Sequence, residues 1–245
     1  MRGLSAVELL RVWEQGLEQT PVDRALALLE AACVDSAHQS PAEFSVGERD
    51  AHLLALREQT FGPEIQAFAR CAQCGRELEL RFAANDVRVQ SEEPAQHSMT
   101  LTDGEYDVRF RLPNSEDLRK AQASPADAGE TMQLLLQRCV LESRLGETEV
   151  SVRHLPDGVI ARISERMAEA DPQADVELTL NCPDCQHEWQ ERFEIDSFFW
   201  AEIHAWAGRT LREVHQLASA YGWSEAEIMA VSPLRRSFYL DLIAE

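Results

Sequence analysis

The chain has 245 residues with 23 Lys+Arg against 43 Asp+Glu, a formal net charge of −20, and a field of that sign repels a nucleic-acid backbone unless a local basic patch overcomes it. No such patch is present, since the basic residues are Lys120 and arginines scattered singly or in the short pair Arg235-Arg236. At 44% hydrophobic and 27% charged the composition is that of a globular protein, no run of about 18 apolar residues offers a membrane span, and the N-terminus lacks the apolar stretch of a secretory signal, so a cytoplasmic protein with no nucleic-acid and no membrane partner is expected.

Residues 1–62 read as an N-terminal helical region. Ser5 caps a helix carrying Val7, Leu10, Trp13 and Leu17 at helical spacing, and Thr20-Pro21 opens a second through Leu26, Leu28, Leu29 and Cys33. Ser45 and Glu48 form a capping box for a third, with Leu53, Leu54 and Leu56 on its face and Gly62 as its C-cap. Residues 63–86 change period: a tight Cys71-Ala72-Gln73-Cys74-Gly75 turn leads into alternating Leu78, Leu80 and Phe82. Residues 87–174 read as an inserted lobe. It starts with a polar loop over 89–97, then a hairpin over 99–112 around Asp103-Gly104, then a short helix capped by Asn114. A longer helix follows from about 126 to 141, and another over 157–170. Residues 175–195 repeat the arrangement of strand, CxxC turn and strand around Cys182 and Cys185, and residues 196–245 are helical again. The expected fold class is α+β: helical N- and C-terminal regions around a zinc-ribbon-like pair of β-hairpins, with a long inserted α/β lobe.

Chemistry concentrates in the cysteines. Two residues between cysteines let both sulfurs of a turn point at one ion, and two such turns facing each other make the tetrahedral cage that Zn²⁺ prefers. Cys71, Cys74, Cys182 and Cys185 are therefore the expected ligands of one structural Zn²⁺ per chain, although 107 residues separate Cys74 from Cys182, more than the roughly 15–20 of common zinc modules. A redox dithiol and metal-free hairpins are the alternatives. Redox use calls for a CxxC at a helix N-terminus, and both pairs here lie between strands. Four thiolates saturate the ion and leave no position for substrate or water. Cys33 and Cys139 lie on apolar helical faces and read as core. The seven histidines form no HExxH, and no Walker loop or GxGxxG is present, so no enzyme is expected.

The last fifty residues are rich in large apolar side chains. Trp200, Trp206, Tyr221, Trp223, Phe238 and Tyr239 are the candidate partner-binding residues, against the alternative that such a set is simply core. Within it, Tyr221-Gly222-Trp223-Ser224-Glu225-Ala226-Glu227-Ile228 resembles a short helical element of small proteins in phage tail and contractile injection gene clusters. Upstream, Val46-Gly47-Glu48-Arg49-Asp50-Ala51-His52-Leu53-Leu54-Ala55-Leu56-Arg57, Phe61-Gly62-Pro63 leading into the first CxxC, Leu112-Pro113-Asn114-Ser115-Glu116-Asp117-Leu118 and the second CxxC resemble the T-even-type phage baseplate hub assembly chaperone family. The resemblance runs from about residue 40 to 240 and brings no catalytic residue with it. It implies a non-catalytic assembly factor, chaperone or minor component for the baseplate of a contractile, phage tail-like machine, with a hub, spike or tape-measure protein as partner. Such a protein would reside in the bacterial cytoplasm or on assembled particles. Two other classes compete. A zinc-ribbon adaptor in transcription or on nucleic acid would want basic flanks, yet Arg76, Glu77, Glu79, Arg81, Asp184, Glu188, Glu191 and Arg192 carry an acidic excess. A hydrolase with a second metal would need carboxylates converging in a pocket.

Overall fold

The computed structural model describes residues 2–33, 40–89, 98–123 and 128–244. All but Val89 of the loop expected over 89–97, the start of the helix expected from 126, and His38 and His97 lie outside them. Helices α1 (Ala6–Gly16), α2 (Pro21–Ala32) and α3 (Val46–Phe61) form the N-terminal base. Ser5 with Glu8 and Ser45 with Glu48 make reciprocal capping boxes, while the Thr20 hydroxyl accepts the Asp23 amide ahead of Pro21. Each cap satisfies amides that a helix start otherwise leaves unpaired. On α1 the buried set is Leu9, Leu10 and Val12, whereas Val7 is 62% exposed and Leu17 is also exposed. The expected stripe is displaced because α1 packs against both α2 and α7, which widens and rotates the buried face.

Gly62 turns the chain into β1 (Glu64–Arg70), which pairs antiparallel with β2 (Glu77–Ala83). The lobe follows as β3 (Met99–Asp103), β4 (Tyr106–Phe110), α4 (Ser115–Gln122), α5 (Ala128–Cys139), β5 (Val140–Leu145), β6 (Thr148–Glu149) and α6 (Asp157–Ala170). Its sheet has the order β3-β4-β5-β6. Strands β5 and β6 correct the expectation of a helix running to residue 141: α5 stops at Cys139, and Val140 enters the sheet opposite Phe110, with a register shift beside Arg109. The Cys139 carbonyl, free at the helix end, accepts the Arg111 amide. The second hairpin, β7 (Glu177–Asn181) with β8 (Glu188–Arg192), leads into the long helix α7 (Ile195–Tyr221), followed by α8 (Glu225–Ala230) and α9 (Pro233–Ala244).

Among the described residues three apolar cores form. The largest joins α1, α2 and α3 with the first half of α7 and the inner faces of both hairpins, through Leu28, Leu29, Leu53, Ile65, Phe199 and Ile203. Phe82 of the first hairpin meets Phe193 after the second edge to face at 5.7 Å. The lobe has its own core around Val108, Phe110, Leu136 and Ile163. The third, around Val214, Leu217 and Ile228, ties the end of α7 to α8 and α9. Burying each such side chain contributes about 1.5–3 kcal/mol. Links between the lobe and the base include the Val46 amide donating to the Pro113 carbonyl, the buried Asp171 carboxylate accepting the Gly47 amide at 2.9 Å, and Arg119 of α4 bonding Asp23 of α2 at 2.6 Å. Among the described residues, no helix is long and apolar enough to cross a membrane.

Candidate metal centre

The two CxxC turns share one backbone design. Each hairpin ladder continues one pair beyond its strands, with the Cys71 amide donating to the Arg76 carbonyl at 2.9 Å and the Cys182 amide to the His187 carbonyl at 2.9 Å. The turns close through Gly75 N–H to the Cys71 carbonyl and Gln186 N–H to the Cys182 carbonyl. This closure requires a left-handed backbone just after the second cysteine. Gly75 takes it at φ 74° without a Cβ penalty, and Gln186 takes it at φ 59°. Among the described residues Gln186 alone does so without being glycine, which stores strain of about 1 kcal/mol or more that the surrounding site must offset. Cys185-Gln186 is thus the counterpart in the second turn of Cys74-Gly75 in the first.

Folding brings the four sulfurs together from positions more than a hundred residues apart. All four Sγ atoms lie within 4.8 Å of one another, and the cross-hairpin pairs Cys71–Cys185 and Cys74–Cys182 stand 3.6 Å apart. A tetrahedron with metal–sulfur bonds of about 2.3 Å has edges of about 3.8 Å, so the cluster matches a tetrahedral ion. The first cysteine of each turn is buried, Cys185 is half-buried and Cys74 is exposed. Across the rim Arg76 reaches Asp184 at 3.6 Å, tying one turn to the other.

The electrostatics ask for a cation. Amides of Cys74 and Gln73 donate to the Cys71 sulfur and draw its thiol down to about 7. Cys185 receives the His187 amide, yet desolvation and then the sulfurs of Cys74, Cys182 and Cys71 around it push its thiol up to about 12. Cys74, despite the Arg76 amide, is likewise raised, with desolvation and then Cys182 and Cys71 as the opposing causes. Four sulfurs this close cannot all ionise unless a positive ion shares their charge. The donor set is soft and complete, so an ion held here would have no open position. His187 stays out of the cluster and stacks on Trp189 at 5.7 Å. Among the described residues no other group of three or more candidate ligands comes together.

The aromatic candidates separate. Trp200 is a core residue: its ring lies against Gly16 and beneath the Arg24 guanidinium, 4.6 Å from the ring centre, so it offers no surface to a partner. Trp206 is half-buried against the main core. Tyr221, Trp223 and Tyr239 pack on one another at 4.9–5.8 Å over the third core. Phe238 is 64% exposed and aligns with exposed Leu234 and Leu242 at one-turn spacing on α9. Cys139 is buried, and burial pushes its thiol up to about 12; Cys33 is half-buried.

A family model described as T4 bacteriophage base plate protein matches residues 8–200. That stretch contains all four clustered cysteines and ends within the first turns of α7. No curated protein and no solved structure matches the chain.

Proposed function

The chain belongs to the T4 bacteriophage base plate protein family, and on that membership we propose that it acts as a non-catalytic assembly factor or minor component of the baseplate or hub of a contractile, phage tail-like machine. One structural Zn²⁺ per chain staples it through Cys71, Cys74, Cys182 and Cys185. The observation that carries this reading is the family match itself, which spans both cysteine turns and the N-terminal helices that share the main core with their hairpins. The zinc reading draws its support from a soft, four-sulfur cage of tetrahedral size that leaves no coordination position for chemistry. The acidic surface keeps the protein and a sticky client in solution. Its partner would be a hub, spike or tape-measure protein, met in the bacterial cytoplasm before the tail is complete.

Two measurements test this. Metal analysis of the protein purified without added metal is expected to give one zinc per chain; four reactive thiols with no bound metal would remove the staple. Deleting the gene is expected to abolish assembled contractile particles, with a hub, spike or tape-measure protein co-purifying with the intact chain. Normal particles from the deletion strain would overturn the assembly role.

A further inference from the structure

Among the described residues strand β1 has a partner on one side only, because its sheet there contains just β1 and β2. The hydrogen-bond phase of that pair is set at both ends: the Ala84 amide donates to the Pro63 carbonyl at 2.8 Å, and the Cys71 amide donates to the Arg76 carbonyl at 2.9 Å. Antiparallel ladders alternate, so Ile65, Ala67 and Ala69 bond to β2. The amides and carbonyls of Glu64, Gln66 and Phe68 then point away from it. Among the described residues nothing bonds to these outward groups.

They open into a groove of about 1230 Å³ between the hairpin and α7. Five consecutive β1 residues, 64 to 68, line it together with Arg81, Phe82 and Ala83 of β2, so the groove takes in part of the hairpin surface as well as the β1 edge. The five β1 residues span about 17 Å, and the volume exceeds the ~300–1,000 Å³ of small-molecule pockets. The far wall is apolar, with Phe61, Phe198, Ala201 and Ala205, and Phe68 stands 75% exposed at the rim. Of the guanidiniums in the groove, Arg57 is held by Glu202 at 2.7 Å and Arg81 by Glu79 at 2.6 Å, while Arg209 meets no carboxylate among the described residues. With Arg57 and Arg81 each neutralised by a carboxylate, the groove charges without an ion-pair partner among the described residues are Arg209 and Glu64, so the groove is near neutral within a chain of net charge −20 and Arg209 is its unpaired cation.

We propose that the β1 edge and the α7 wall form a docking groove for an extended segment of another baseplate protein, added as a third strand beside β1, with apolar side chains alternating into the groove and a carboxylate on Arg209. Unpaired backbone groups at every second residue recognise an extended chain, and the unpaired guanidinium selects an acidic one. The identity of the donor as a baseplate protein rests on the function proposed above; the groove itself does not.

The test separates the two. A displayed library of random seven-residue peptides is panned on the full-length protein. The selected peptides are expected to carry an acidic residue among alternating apolar ones and to slow amide exchange at Gln66 and Phe68 at least tenfold. Gln66→Pro removes one outward amide without touching the β2 ladder, Ala205→Gln fills the groove from an exposed helix position, and Arg209→Ala removes the charge. Each is expected to weaken peptide binding at least tenfold at unchanged melting temperature; if Gln66→Pro misfolds, the two helix variants decide. No enrichment, binding indifferent to these variants, or self-association lost in them would overturn the proposal. In tail-producing cells, a photo-crosslinking residue at position 68 is expected to give an adduct to a baseplate protein that Ala205→Gln abolishes. Adducts to a baseplate protein from position 238 but not from 68 would sink the groove and leave the baseplate function standing.

Discussion

Asp117 has no solvent exposure and is surrounded by charge partners. Arg111 bonds both its oxygens at 2.5 and 3.0 Å, Arg138 adds a third bond at 2.7 Å, and the Asn114 amide a fourth. Burial alone would raise its pKa, but the Arg111 bonds, the Asn114 amide and Arg138 outweigh it and hold the carboxyl below its usual range. A depressed carboxylate contributes stability that is present above the unfolded pKa of about 3.9 and is lost as pH falls through the folded value. Asp117→Asn keeps the helix-cap geometry and leaves two guanidiniums without a counter-ion. It is expected to cost about 3 kcal/mol at pH 7, with the gap to the parent protein narrowing as pH drops below ~4; urea unfolding across that range measures both. Gly16 matters for a steric reason. A Cβ there would lie 2.3 Å from the Trp200 ring, which is buried and covered by Arg24, so neither partner can easily move. Gly16→Ala is expected to destabilise by about 1–3 kcal/mol through overpacking, in spite of alanine's better helix propensity, and a stabilised variant would show that α1 can shift.

Two-stranded hairpins are marginal on their own in water, and the two here depend on each other through the sulfur cluster and on the main core through Ile65, Phe82, Leu178 and Phe193. Cys74 gives the cleanest test because its side chain is exposed, so Cys74→Ser removes a ligand and little packing. The variant is expected to lose zinc and about 10 °C of melting temperature, with amide exchange rising together in β1, β2, β7 and β8. Exchange rising in only one hairpin would mean that the cysteine pairs do not share an ion. The elements legible in the sequence were those written over short spacings: the capping boxes at Ser5 and Ser45 use residues three apart, and each CxxC turn is closed within six. The β5–β6 hairpin was not legible, because Val140-Leu141 continues the apolar run of α5 and its pairing partner, β4, lies some thirty residues upstream. Nor could periodicity separate buried Trp200 from exposed Phe238. Both lie on helices with apolar neighbours at helical spacing, and only the arrangement of α1, α2 and α9 decides which of them is covered. The left-handed Gln186 likewise carried no signal in its residue type.

At the scale of the molecule, α7 crosses two regions of very different support. Its first half is held by the largest core, through Phe199 and Ile203, while its second half rests on the small third core around Val214, Leu217 and Ile228. The family match ends at residue 200, close to where the main core gives out along this helix. Local opening free energy follows buried apolar contact, so α8, α9 and the end of α7 should open well below the global unfolding free energy. Ile228 is fully buried at the centre of that small core, and Ile228→Ala removes about 2–5 kcal/mol of packing. The loss should fall on the local unit: faster amide exchange in α8, in α9 and beyond about Arg209 of α7, with unchanged zinc content and unchanged protection in α2 and α3. Equal acceleration throughout α7 and α3 would mean that the C-terminal helices and the N-terminal base unfold as one cooperative block, and that the end of α7 is braced by more than the small core visible against it.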